Sequence, residues 1–149
     1  MKIGSVLTAG AALVLSAGLA AAQEKQLMHC FAFTPIEGAS DADWKAFYQA
    51  TDAMPKHIPQ VKMVWAGKLR SPLQQFQVDG AARKKLAAGE KDVETKANRV
   101  VREYGVCMAM QGGPEVLKTY TANPYHKTWM AAYEKVRVAG TTTYDIIDE

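Results

Sequence analysis

Histidine and cysteine are scarce, three and two among 149 residues, and that scarcity removes whole classes of chemistry before any pattern is read. His29, His57 and His126 stand too far apart for the close ligand spacing of a zinc site, and Cys30 and Cys107 form no Cys-x-x-Cys clip, so no metal is expected. An excess of one charge is missing as well. The 18 Lys and Arg residues oppose 15 Asp and Glu, which leaves no electrostatic footprint for nucleic acid or an anionic membrane. No phosphate-cradling loop occurs, since Gly112-Gly113-Pro114 reads as a turn ahead of a helix, and no serine sits in a nucleophile elbow. Accordingly no cofactor is expected, and any ligand should be small and apolar.

Long apolar runs are confined to the start of the chain. Lys2 supplies a minimal basic beginning, residues 3–19 are almost uninterruptedly apolar, and Ala20, Ala21 and Ala22 offer small residues to a signal peptidase. Residues 1–22 therefore read as a secretory signal cut before Gln23, because the run falls short of the roughly twenty residues of a membrane-spanning helix. The expected location is periplasmic or extracellular, with no membrane attachment after cleavage. Residues 23–149 suffice for one domain with a real core and are too few for two of ordinary size. An oxidising compartment permits Cys30 and Cys107 to pair; two buried free thiols are the alternative.

Residues 26–34 are rich in aromatic and apolar side chains and are closed by Pro35, Gly38 and Ser40, which marks a first strand. Its alternation sets Leu27, His29, Phe31 and Phe33 on one face and Met28, Cys30 and Ala32 on the other. Ser40 caps a helix predicted over residues 41–54, with Trp44, Phe47, Tyr48, Thr51 and Met54 at helical spacing and Pro55 and Pro59 as stops. Residues 61–66 are a second strand ending at Gly67. Apolar residues then thin out, and the interleaved charges of residues 70–103 predict an inserted polar surface loop or exposed helix. Residues 100–110 form a third strand, residues 115–122 a short helix, and Asn123-Pro124 restarts a helix whose apolar stripe is Trp129, Met130, Tyr133 and Val136. Ala139-Gly140 ends it, and the β-branched residues 141–147 make a fourth strand.

The order βαββαβ is that of the α+β ferredoxin-like arrangement, an antiparallel sheet with helices on one face. Its first and third strands are central neighbours, so Cys30 and Cys107 lie on adjacent strands. The other sheet face is left bare, and self-association is the economical cover for it.

Several landmarks together resemble the stress-responsive dimeric α/β-barrel (Dabb) family: an early strand carrying His29 and ending Phe-Thr-Pro, the segment Met54-Pro55-Lys56-His57-Ile58-Pro59-Gln60-Val61, and Gly67. Further landmarks are Tyr120-Thr121-Ala122-Asn123-Pro124-Tyr125-His126, similar to the signature Tyr-x-x-His-Pro-x-His, and Tyr144-Asp145 on the last strand. The likeness spans about residues 27–147. Asn123 replaces the first signature histidine, the link between second and third strands is longer than usual, and an ungapped match shifts His29 by two residues. The antibiotic-biosynthesis monooxygenase type shares the architecture but lacks the Asn-Pro-x-His-like segment. The resemblance implies a homodimer, two sheet faces closing a barrel, and a stress-response role. A plant cyclase of the family performs an intramolecular aldol cyclisation with the signature tyrosine and final histidine, which correspond to Tyr120 and His126.

Imidazole can remove a proton next to a carbonyl, and a phenol can hydrogen-bond the oxygen that becomes charged. Tyr120 and His126 are therefore the candidate catalytic pair, with His29, Phe31 and Phe33 lining the same cavity. Two functions stand at this level: an exported homodimeric module that binds a small ligand or protects without turnover, and a cofactor-independent cyclase or lyase acting on an apolar carbonyl compound.

Overall fold

Period-2 alternation along β1 (Gln26–Phe33) gives its two faces different fates. Leu27, Phe31 and Phe33 are buried in the core, whereas on the opposite face Met28 is exposed and only Cys30 and Ala32, nearer the strand's end, are buried. The computed structural model describes residues 25–148; the leader read over residues 1–22 lies outside them. β1 pairs antiparallel with β3 (Ala97–Gln111) on one side and with β4 (Thr142–Ile147) on the other, and β2 (Val61–Val78) adds to the far edge of β3. The resulting order β2-β3-β1-β4 makes the fold ferredoxin-like, as the succession of elements implies.

Helices cover one face. Ser40 caps α1 (Asp41–Asp52), its hydroxyl accepting from the Asp43 N–H at 3.2 Å, and the single turn α2 (Met54–His57) follows after Ala53. Pro55 thus stands at the start of a new turn, where its missing N–H is harmless, instead of stopping one long helix. α4 (Val116–Ala122) and α5 (Pro124–Tyr133) complete the layer. Phe47 of α1 and Trp129 and Tyr133 of α5 pack with Phe33, Val106 and Met108 of the sheet. Each fully buried side chain of this size stabilises by about 1.5–3 kcal/mol. Thr51 ties the two main helices together: its hydroxyl donates to the Phe47 carbonyl at 2.8 Å and accepts from the Trp129 indole N–H at 2.9 Å.

The charged segment differs from its reading as an inserted loop or helix. β2 runs on past Gly67 to Val78, β3 begins at Ala97, and the two form one long hairpin with α3 (Gly80–Ala87) near its tip. Both apparent strand breakers are accommodated. Gly67 faces Gly105 across the ladder, and Pro72 falls in a bulge where residues 69–72 oppose the single Glu103. Side chains on this arm are mostly exposed, so backbone pairing shapes it without a hydrophobic alternation for sequence to display. Asp79 caps α3, accepting from the Ala82 N–H at 2.8 Å.

On the helix-free face, Met63 and Trp65 of β2, Met28 of β1 and Tyr144 and Ile146 of β4 are all exposed, Trp65 by 51% and Ile146 by 57%. Cys30 and Cys107 sit among them as direct cross-strand partners with Cα atoms 4.2 Å apart, and their sulfurs are bonded. That separation is close to the roughly 4.5 Å of a non-hydrogen-bonded antiparallel pair. The bond closes a loop of sequence separation 77. Reduction, or the double substitution Cys30→Ala and Cys107→Ala, should lower the free energy of unfolding by about 2–4 kcal/mol. Urea unfolding with and without reductant checks this; coincident midpoints would contradict it.

Candidate functional site

The break between α4 and α5 brings the chemistry-bearing residues together. Asn123 caps α5 with its side-chain oxygen, accepting from the Tyr125 N–H at 2.8 Å, and its amide donates to the His57 carbonyl at 3.3 Å. Pro124 occupies the first turn without disrupting a hydrogen bond. This sharp joint places Tyr120, from the last turn of α4, edge-on against His126 in the first turn of α5, with ring centroids 4.5 Å apart and planes at 76°. His126 also lies 5.7 Å from Trp129.

β1 supplies the floor. His29 is 6.1 Å from Tyr120 and 5.6 Å from Phe31 between ring centroids. Asp145 is its direct partner across the β1–β4 ladder, and His29 Nδ1 stands 2.6 Å from Asp145 Oδ1. With the carboxylate accepting, Nδ1 carries the ring proton and the orientation of the imidazole is held. His29, Phe31, Tyr120, His126, Trp129 and Tyr133 border one cavity of about 210 Å³, and Arg137, Thr141 and Thr143 contribute polar groups to it.

Of the residues singled out from sequence, Tyr120, His126, His29 and Phe31 meet at this cavity. Phe33 does not line it: fully buried, it packs against Phe47, Tyr104 and Tyr133 in the main core. One face of β1 spans both the cavity and the core, and alternation alone cannot divide them. His57 is exposed and stacks on Tyr125 at 4.2 Å. Cys30 and Cys107 lie across the sheet from the cavity. Sequence reasoning missed Asp145, Tyr133 as a polar group, and Arg137. A register for β4 against β1 would have exposed Asp145. α5 ends at Tyr133, short of the predicted stop at Ala139-Gly140, and Arg137 sits beyond it in a β-bridge with Pro35, so no helical period marks it.

Burial sets the protonation states. It pushes the His126 imidazole below its ordinary value of 6.5, the positive charge available to His29 adding to the effect. Burial also pushes the Tyr120 phenol up, with Tyr133 acting in the same direction. At neutral pH the cavity therefore holds a free-base imidazole beside a protonated phenol, one group able to take a proton and one able to donate a hydrogen bond.

Solved structures share the fold. A dimeric ferredoxin-like protein of unknown function from Thermobifida fusca is 17% identical over 83% of this chain and 92% of its own, with a TM-score of 0.53. A Dabb family protein with a ferredoxin-like fold from Mesorhizobium loti is 11% identical over 85% of this chain and 99% of its own, at 0.53. A hydroxynitrile lyase from Passiflora edulis is 7% identical over 83% and 94%, at 0.54. At such identities the likeness is one of fold. No family model and no curated protein matches the sequence.

The depressed imidazole has a measurable consequence. His126 should titrate below 6.5 in an NMR pH series, and His29→Gln should move its midpoint upward by removing the neighbouring charge. Stability contributed by the neutral ring is complete above the ordinary value and is lost as pH falls through the folded one. A midpoint at or above 6.5, unmoved by His29→Gln, would contradict this assignment.

Proposed function

We propose that the chain is a homodimeric, cofactor-independent protein whose cavity transfers a proton on a small apolar carbonyl compound, in the manner of a cyclase or lyase. The observation that carries this reading is the convergence of His126, Tyr120 and the His29–Asp145 pair on one largely aromatic cavity. His126 takes the proton from the carbon next to the carbonyl and becomes imidazolium. The Tyr120 hydroxyl stabilises the enolate oxygen by hydrogen bonding, and His126 returns the proton to product or leaving group. Asp145 keeps His29 oriented at the cavity wall. That a hydroxynitrile lyase has this fold supports the compatibility of the scaffold with lyase chemistry.

Dimerisation through the helix-free face is supported by the exposed Met28, Met63, Trp65, Tyr144 and Ile146 and by the dimeric neighbours. Export is supported by the leader pattern of residues 1–22 and by the Cys30–Cys107 bond, which oxidising compartments favour. A second reading, a stress-protection module that binds without turnover, is favoured by Asn123. At the position of the signature's first histidine it serves as a helix cap.

The reading predicts saturable ligand binding. In an NMR titration with small aromatic ketones and β-diketones, His126 and Tyr120 signals should move together and saturate, and His126→Ala should weaken the response. Signals unmoved by every ligand would remove both the catalytic and the ligand-binding readings.

A further inference from the structure

Proton transfer leaves one end of the cavity unused. Seven residues beyond His126, about 10 Å along the helix axis, Tyr133 is 3% exposed, and its hydroxyl has no hydrogen-bond partner among the described residues. Arg137 follows just past the end of α5, where it pairs with Pro35 in an isolated β-bridge. Its Nε is likewise buried without a partner, and its guanidinium stacks over the Tyr133 ring, 4.7 Å from the centroid. The acidic neighbour it does have, Glu134, holds an oxygen 3.8 Å from Nη2, too far for a hydrogen bond. Glu134 is also largely exposed, so its charge is mostly answered by water.

A second guanidinium reinforces the field. Arg102 is 3% exposed, donates to the Thr34 and Thr142 hydroxyls, and has no carboxylate partner among the described residues. Burial pushes the Tyr133 phenol up, and the Arg137 and Arg102 charges both act against that shift. Positive charge removed from water without a matching anion is costly. A planar guanidinium with unused donors matches a carboxylate better than a neutral group. Trp129 and Phe31, which border the space between the two ends, suit an apolar or aromatic spacer.

We propose that Arg137, with the Tyr133 hydroxyl, receives the carboxylate of the ligand, so that the substrate class is a carboxylic acid whose reactive carbonyl lies across an apolar spacer. This rests on the preceding reading of the cavity and narrows its apolar carbonyl compound to one that carries a carboxylate at its far end. A charge-assisted contact of this kind corresponds to about tenfold or more in affinity.

The test is calorimetric titration of the purified protein with 4-acetylbenzoate and its neutral near-isostere 4-acetylbenzamide. The acid should bind about tenfold or more tightly than the amide. Arg137→Gln should abolish that preference, Arg137→Lys should retain part of it, and Tyr133→Phe, which keeps the ring under the guanidinium, should reduce it. Equal affinity of the wild-type protein for acid and amide would overturn the proposal while leaving the cavity reading intact. Binding of neither would overturn both. The wild-type comparison stands whatever the fate of the variants.

Discussion

Antiparallel pairing of β1 with β3 in a single register holds the rest of the molecule in place. The register sets Cys30 against Cys107 on one face while Phe31 opposes Val106 and His29 opposes Met108 on the other. A slip by one residue would carry every side chain of β1 to the wrong side of the sheet, removing Phe31 and Phe33 from the core and His29 from the cavity at once. The disulfide pins the same register covalently, so core and site depend on one alignment.

Above that sheet, site geometry depends on a deliberate interruption. An unbroken helix through residues 116–133 would place Tyr120 and His126 six positions apart, roughly 9 Å along the axis and about 120° out of phase. The Asn123-Pro124 joint resets that phase, and the rings meet edge to face. Asn123 is fully employed in the joint, through Tyr125 and the His57 carbonyl. Its contribution to the cavity is therefore positional. Trp129 and Thr51 then lock α5 to α1, which fixes the wall that His126 occupies.

Much of this was legible in the amino-acid order. Alternation in β1, the Ser40 and Asn123 caps, and the Tyr120 to His126 spacing each follow from local chemistry and lead directly to the βαββαβ order. Less visible was the long β2–β3 arm, because its strands expose both faces and their stability rests on backbone pairing, which leaves no apolar period. Asp145 escaped for a different reason: its role is created by cross-strand register with His29, a relation between residues 116 positions apart. Phe33 reads the same as Phe31 along the strand, and only the added cover of α1, through Trp44 and Phe47 over Phe33, separates core from cavity.

The central claim is that His126, as a free base beside the Tyr120 phenol, removes a proton adjacent to a carbonyl. Its most direct measurement is exchange of the methyl protons of acetophenone in deuterated water, followed by NMR with the purified protein. The account predicts saturable exchange that falls by about 10²–10⁴-fold in His126→Ala and shows an acid limb below pH 6.5. Exchange no faster than with free imidazole at equal concentration, or unchanged in His126→Ala, would contradict it.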